Sequence, residues 1–267
     1  MGRNISLLVP TMNNPWHLET TLRSAFKNAT ENGHEALVFA NEAQQPTLDV
    51  VKRVADDGLP VLLVGISDKN EGVALAVNAC AVAAQGEHLF YVGDDYYFLP
   101  GWDTALLRRS KPGAWVYLTP RSVERTGANP AMYAPHEFGA GEKDFRESDL
   151  LTFWKDLPKQ DVVSRWGPPF MRREAWEAIG GMDVGYWPGF GTDADLAIGF
   201  GRAAQQVGAD PQWVGVGDAG IYHFGCVTTS RVRTYGATLA ANCRFRNRWN
   251  MDTWQFAASI GDGRPLP

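Results

Sequence analysis

Residues 1–95 alternate between strand-like and helix-like patterns, and this alternation constrains the fold more than any other feature of the sequence. Four apolar, strand-like runs end at Val9, Ala40, Val64 and Val92, and a stretch with apolar residues at helical spacing separates each run from the next. Such alternation is typical of a parallel sheet with helices packed on its faces. We therefore predict an α/β fold with a mostly parallel central sheet in a single domain.

The second half of the chain carries weaker signals. Residues 120–165 mix glycine, proline and charge without a period, which indicates a functional loop or a small insertion, because structureless connections of that length are uncommon. Residues 226–267 are polar and aromatic. Elsewhere we predict strands over Ala114–Thr119 and Gly220–Phe224 and helices over Arg173–Ile179 and Asp193–Val207.

Composition narrows the function. The chain has 267 residues and a formal net charge of -5, so it is a poor general binder of nucleic acid, whose phosphates attract basic residues. Three cysteines without a CxxC spacing are typical of a reducing compartment. We see neither a signal peptide nor a transmembrane segment, so we expect a cytoplasmic protein.

Polar side chains follow the predicted parallel strands at the points where the strands end. Ligands of open α/β sheets bind beyond the carboxyl ends of the strands, where these loops converge. We therefore expect one cleft to be surrounded by Thr11, Asn13, Asn41, Asn70 and the pair Asp94–Asp95.

The pair Asp94–Asp95 follows a buried strand directly. Adjacent carboxylates raise each other's pKa unless something binds them, and a divalent cation such as Mg²⁺ or Mn²⁺ is a common solution. The alternative is a solvated turn before the next helix.

Three more residues carry possible chemistry. His223 lies on a short predicted strand, where it is either a structural residue or a ligand, and imidazole suits Mn²⁺ more than Mg²⁺. Asp193 and Asp195 follow a glycine-rich loop. They either complement the helix dipole or include a general base that deprotonates a hydroxyl.

Taken in order, these segments resemble glycosyltransferase family 2 and its relatives of the GT-A fold, over roughly residues 4 to 250. The order and spacing carry the resemblance, since each motif is weak by itself. The matching segments are Ile5 to Asn13, Asn70-Glu71-Gly72 with Asn78, Gly93-Asp94-Asp95 with Leu99-Pro100-Gly101-Trp102, Phe170 to Arg173, Gly180 to Asp183, Thr192 to Leu196, Ile221-Tyr222-His223, and Asn242, Phe245, Arg248 and Trp249.

The resemblance implies a metal-dependent glycosyltransferase that moves a sugar from a UDP- or GDP-type donor onto an acceptor hydroxyl with inversion. Asp95 and His223 would hold Mn²⁺ or Mg²⁺, and Asp193 would be the general base. The nucleotide-sugar would contact Pro10, Thr11, Asn13, Asn41, Asn70, Gly72, Asn78, Asp94, Arg231 and Arg233, and the sugar or acceptor would contact Trp187 and Asp195.

The same resemblance divides the chain. We expect a GT-A domain over residues 1–225, with a nucleotide-binding half at 1–95 and an acceptor-side half at 96–225. Residues 226–267 would form a C-terminal helical tail that packs on or closes the active site. The acceptor, the sugar and the oligomeric state are not readable from the sequence.

Two departures from the family pattern keep alternatives open. Gly93 stands where a strict Asp-x-Asp motif has its first Asp, and Thr192 stands where the family has Glu. A non-catalytic nucleotide-sugar or glycan-binding module of the same fold is therefore the alternative hypothesis. A nucleotidyltransferase ranks last, since Pro10 to Asn14 is not a basic, glycine-rich phosphate loop.

Overall fold

The computed structural model describes residues 3–125, 132–225 and 229–261. Its central feature is a ten-stranded mixed sheet in the order β3-β2-β1-β4-β9-β6-β10-β5, with β7 paired to β6 and β8 paired to β10. The strands are β1 Arg3–Thr11, β2 Glu35–Ala40, β3 Val61–Ile66, β4 Gly86–Tyr91, β5 Tyr96–Phe98, β6 Val116–Glu124, β7 Tyr133–Pro135, β8 Val162–Val163, β9 Phe170–Arg172 and β10 Gln212–His223.

The helices surround this sheet. They are α1 Pro15–Lys27, α2 Gln45–Asp56, α3 Val73–Ala83, α4 Trp102–Leu107, α5 Glu147–Asp156, α6 Arg173–Ile179, α7 Thr192–Gln206, α8 Thr229–Val232, α9 Tyr235–Trp249 and α10 Thr253–Ala258, with a 3-10 turn at Val184–Tyr186. Within this part of the chain, none of the helices combines the length and the apolar character needed to span a bilayer.

The predicted alternation in the first half is confirmed. β1 pairs in parallel with both β2 and β4, and β2 pairs in parallel with β3. Side chains of β1 alternate between the two faces, so that Ile5, Leu7 and Val9 pack into one apolar cluster while Leu8 packs into the other. Burial on both faces explains why the predicted strands are continuous apolar runs.

The second half differs from the prediction of an irregular stretch at residues 120–165. This stretch contains the end of β6, which runs to Glu124, and also β7, α5 and β8; residues 126–131 lie outside the described residues. Likewise β10 begins at Gln212, well before the predicted Gly220. These strands depend on pairing with distant segments, as β9 does by lying antiparallel to β4, so local patterns do not reveal them.

The C-terminal helices are part of the main core. Phe245 and Trp249 of α9 and Phe256 of α10 are buried in the same cluster as α3 and α7. The backbone N–H of the buried Arg165 donates to Ile260 O at 3.1 Å, which fixes the end of the segment. The predicted tail therefore packs as helices against the sheet, while residues 226–228 and 262–267 lie outside the described residues.

Candidate functional site

A cleft of about 860 Å³ opens at the carboxyl ends of β1, β2 and β4, between the sheet and the helices α7, α9 and α10. The strand ends converge there because β1 is parallel to both β2 and β4, so that their carboxyl ends lie at the same edge of the sheet. Of the residues predicted from the sequence, the cleft is lined by Pro10, Thr11, Asn41, Asn70, Asp94, Asp95, Asp193, His223 and Arg233.

Asp94 is buried where β4 ends and is held by the loop that follows β1. Its Oδ2 atom accepts hydrogen bonds from Thr11 Oγ1 at 2.6 Å, from Asn14 Nδ2 at 3.1 Å and from the Met12 backbone N–H at 3.3 Å. Burial, and then the charge of Asp95, raise the pKa of Asp94 to about 6 despite these bonds. Asp94 therefore locks the two strand ends together at the base of the cleft.

Asp95 lies beside His223, although the two residues are far apart in the sequence. His223 Nε2 is 3.4 Å from Asp95 Oδ2. Two pairings bring them together: β10 runs antiparallel to β5 with His223 opposite Tyr96, and the Phe224 backbone N–H donates to Asp95 O at 3.0 Å. The juxtaposition on which the proposed metal site depends is present.

Glu124 was missed by sequence reasoning and completes this group. It ends β6, which runs parallel to β10, and its Oε2 atom is 2.7 Å from His223 Nδ1. Glu124 falls in the stretch interpreted as irregular, and a single glutamate there carried no signal. A carboxylate on the far ring nitrogen is a common way to set the tautomer and orientation of a metal-binding histidine.

The donor atoms of this group suit a hard divalent cation. Glu124 contacts Nδ1 of His223, and Nε2 on the other side of the ring faces the Asp95 carboxylate at 3.4 Å. Carboxylate oxygen with one imidazole nitrogen is a donor set that suits Mn²⁺. Over the described ranges no group of three or more His, Cys, Asp or Glu forms a ready-made metal site, so a ligand and water must supply the other positions.

Asp193 faces the cleft from the first turn of α7. The helix begins behind Gly191, whose φ of 89° is in the left-handed region that glycine tolerates. The Oδ1 atom of Asp193 is buried and has no hydrogen-bond partner among the residues described. Burial raises the pKa of this carboxyl to about 6. A desolvated carboxylate with an unused oxygen is suited to accept a proton near neutral pH.

Asp195 does not line the cleft, contrary to its predicted contact with sugar or acceptor. Its Oδ1 atom accepts from Trp249 Nε1 at 2.7 Å and from the Tyr186 hydroxyl at 2.9 Å, and its Oδ2 atom accepts from Arg248 at 3.0 Å. Burial raises its pKa, and these partners oppose the rise. Asp195 therefore joins α7 to α9 rather than facing a ligand.

Asn78 and Asn13, both predicted to contact the nucleotide-sugar, also lie outside the cleft wall. The Asn78 amide donates to Met182 O at 2.8 Å and accepts from Met182 N–H at 2.9 Å. The Asn13 amide donates to Glu42 O at 2.7 Å. Both side chains bind backbone groups of neighbouring loops.

Gly72 and Trp187 pack against each other at the rim. A Cβ atom on Gly72 would lie 2.9 Å from Trp187 Cδ1, and the Gly72 φ of 86° also disfavours other residues. Trp187 is exposed, and its indole N–H donates to Asn70 O at 3.0 Å. Neither residue lines the cleft, although Asn70 does.

The two arginines after His223 differ in position. Arg233 lines the cleft, with its guanidinium carbon 5.2 Å from the centre of the Phe190 ring. Arg231 is exposed and lies against the loop after β1, where its Nη1 atom is 3.4 Å from Met12 O. Both stand at the entrance, where cations attract phosphate groups.

Comparisons with known proteins agree with this geometry. The model of the family described as glycosyl transferase family 2 matches residues 6–174, which is more than half of the chain. A search of curated protein sequences finds no match.

Solved structures share the fold at low sequence identity. The crystal structure of GalNAc-T7 with UDP, GalNAc and Mn²⁺ has a TM-score of 0.61 and 16% identity, over 83% of this chain and 44% of that one. The structure of residues 1–349 of TarS from S. aureus in complex with UDP has a TM-score of 0.55 and 14% identity, over 82% of this chain and 60% of that one. The chain thus spans less than two thirds of either structure, and the likeness establishes the GT-A fold.

Proposed function

We propose a reaction for this chain from one premise: it belongs to glycosyl transferase family 2, and it is a glycosyltransferase of the GT-A fold. The proposed reaction transfers a sugar from a nucleoside diphosphate donor to an acceptor hydroxyl by single displacement with inversion. UDP is the first nucleotide to test, because both similar structures contain it. A GDP-type donor is the second.

One observation carries this proposal. A single cleft holds a buried carboxylate with an unpartnered oxygen, Asp193, together with the facing pair Asp95 and His223. Displacement at an anomeric carbon needs a base on the attacking side and positive charge on the leaving side. The non-catalytic alternative gives no reason to bury an unpartnered carboxylate, which costs free energy unless function requires it.

The residues of the chain divide these tasks. Asp193 takes the proton of the acceptor hydroxyl while the acceptor oxygen bonds to the anomeric carbon. The bond from that carbon to the diphosphate oxygen breaks, and the electron pair leaves with the diphosphate. Asp95 and His223 would hold Mn²⁺ or Mg²⁺, which neutralises charge on the leaving diphosphate.

Residues at the strand ends support the proposal because they could bind the nucleotide of the donor. Thr11, Asn41 and Asn70 line the cleft beside Asp94 and would contact the nucleoside. Arg233 at the entrance would contact the diphosphate, with Arg231 closing behind it.

The decisive experiment replaces Asp193 with Asn. A panel of UDP- and GDP-sugars is first screened with Mn²⁺ for a rise in melting temperature, since ligands that bind the native state stabilise it. With the best donor, water serves as the acceptor, and hydrolysis of the donor is measured as release of the nucleotide. Asp193→Asn should slow this hydrolysis by roughly 100-fold or more, because general base catalysis contributes about 10²–10⁴-fold. The Kd of the donor should change little.

The matched control is Asp56→Asn, which alters an exposed carboxylate on α2 that pairs only with surface Lys52 in the described contacts. This variant should release nucleotide at the wild-type rate. Wild-type release by Asp193→Asn would remove Asp193 as the base. Absence of donor binding and release in the wild type would reject the proposed reaction.

A further inference from the structure

The wall of the cleft also carries exposed aromatic rings from separate segments. Trp254 of α10 lines the cleft with 80% of its surface exposed, and Trp166, between β8 and β9, lines it with 36% exposed. Large exposed indoles are costly to hydrate, and when they line a concave site they commonly mark a binding surface.

The backbone segments that carry these rings are joined through the core. Phe256 of α10 is buried, and its ring centre is 6.5 Å from that of Trp166. Next in the chain to Trp166, Arg165 donates from Nη1 to Ser259 O at 2.9 Å. The two segments that carry Trp166 and Trp254 are therefore fastened to each other, so their backbones are already in place when a ligand binds.

Polar groups lie among the aromatic rings. Ser122 lines the same cleft, and its buried Oγ atom has no hydrogen-bond partner in the described part of the chain. Asn242 and Thr253 also line it, joined by a hydrogen bond of 2.7 Å from the Thr253 hydroxyl to Asn242 Oδ1. Hydroxyl and amide groups next to flat apolar faces match a ligand that has C–H faces and hydroxyl edges. A lipid chain would leave the Ser122 hydroxyl without a partner, which is unfavourable.

We propose that Trp166, Trp254 and Ser122 form a subsite for the acceptor and that this acceptor is a saccharide, with a sugar ring lying on the indole faces. The inference rests on the proposed function, because Asp193 in the same cleft would activate the acceptor hydroxyl. It assigns a substrate class to cleft-lining residues that the proposed donor contacts do not include.

The test measures saccharide binding to the full chain by titration calorimetry with UDP and Mn²⁺ present. The probes are cellotetraose, chitotetraose and maltotetraose, and phosphatidylglycerol vesicles form the lipid arm. We expect at least one tetrasaccharide to bind. Trp254→Ala should weaken its Kd by roughly tenfold or more, and Trp254→Phe should restore most of the affinity because a flat ring remains.

Tyr235→Ala is the matched control, because Tyr235 is 84% exposed in the same C-terminal segment but does not line the cleft. Its Kd should equal that of the wild type, and the melting temperature of each variant verifies folding. Three results overturn the saccharide subsite: no binding of any tetrasaccharide, equal affinity of Trp254→Ala and wild type, or vesicle binding that Trp254→Ala abolishes. Wild-type nucleotide release from the donor is measured in parallel, and its absence alone counts against the proposed function.

Discussion

The end of β4 and the start of α7 each carry a pair of acidic residues, and the two pairs are built alike. In each pair, one carboxylate is tied down by the protein: Asp94 by the loop after β1, and Asp195 by Tyr186, Arg248 and Trp249. The other carboxylate is Asp95 or Asp193, and both of these line the cleft, as Asp94 also does. An anchored carboxylate thus stands beside each one that is placed to react.

The two pairs differ in the groups that surround their second carboxylate, which is Asp95 in one pair and Asp193 in the other. Asp95 faces His223, whose other ring nitrogen contacts Glu124, and under the proposed function these residues would surround a cation. Asp193 Oδ1 has no partner among the described residues and is desolvated instead. A charge partner favours an ionised ligand, whereas desolvation favours a proton acceptor. The same residue type therefore has two different environments, which suit the two tasks that the proposed function gives it.

The largest effect on the rate of nucleotide release is expected from substitution of Asp95 in the first pair. Asp95→Asn should lower the Mn²⁺-dependent rate of nucleotide release by roughly a thousandfold, about 4 kcal/mol, because a charged ligand is lost beside the leaving group. Asp94→Asn should lose less, since its amide oxygen can still accept from Thr11, Asn14 and the Met12 backbone. Release rates over a Mn²⁺ titration measure both, and equal losses would contradict the division of tasks.

Substitutions at the two carboxylates of the second pair, Asp193 and Asp195, should change the free energy of unfolding in opposite directions. Asp195→Asn should lower the free energy of unfolding by roughly 2–4 kcal/mol, because Arg248 and Trp249 lose a charged acceptor. Asp193→Asn should raise it at neutral pH by up to roughly 3 kcal/mol, because burial of the ionised carboxylate costs free energy. Urea unfolding without donor measures both, and destabilisation by Asp193→Asn at neutral pH would refute its burial as an unpartnered charge.

The pH dependence of the Asp193 effect has a definite direction. Its pKa of about 6 in the folded chain lies above the ordinary value of 3.8, so the native state binds the proton more tightly. Tighter proton binding by Asp193 in the folded chain contributes to the free energy of unfolding. This contribution is complete below pH 3.8 and is lost as the pH rises through about 6. The advantage of Asp193→Asn should therefore vanish at low pH, and an advantage that persists there would point to another cause.

A smaller effect sharpens the comparison at His223. Glu124→Gln should weaken Mn²⁺ stimulation by about 10–100-fold, because carboxylates that orient a metal-binding histidine contribute about that much. The release rate is measured against Mn²⁺ concentration, with exposed Glu174→Gln on α6 as control. A Mn²⁺ response like that of the control would leave Glu124 without this role.

The smallest effect is expected at the ion pair between Arg244 and Asp183, which lies next to the contacts of Asp195. Arg244 pairs with Asp183 at 2.7 Å, but its side chain is half exposed and Arg248 also binds Asp183. Arg244→Gln should therefore cost less than about 1 kcal/mol of unfolding free energy, and nucleotide release should stay at the wild-type rate. A larger loss in thermal or urea unfolding would show that α9 depends on this pair.

The sequence predicted the parallel half of the sheet and the meeting of Asp95 with His223. The first follows from apolar runs that are buried on both faces, as in β1, and such runs are visible locally. The second came from a family resemblance in motif order, since nothing local indicates that residues so far apart meet.

The predictions that differ from the structure share one cause. The family resemblance implied ligand contact for Asn78 and Asp195, yet Asn78 binds Met182 and Asp195 binds Tyr186 and the end of α9. Glu124 was missed because its role depends on β6 lying beside β10. Whether a polar side chain faces a ligand or a neighbouring segment depends on contacts that its own sequence window does not contain.

The sequence by itself determined the α/β class and the set of loops that meet at one edge of the sheet, because periodicity and strand ends are local properties of the chain. Only the tertiary structure decided which carboxylate of each pair is held by neighbouring segments and which glutamate contacts His223. Those outcomes depend on pairing between distant strands and on packing of the C-terminal helices, and both are set by the burial of apolar surface across the whole fold.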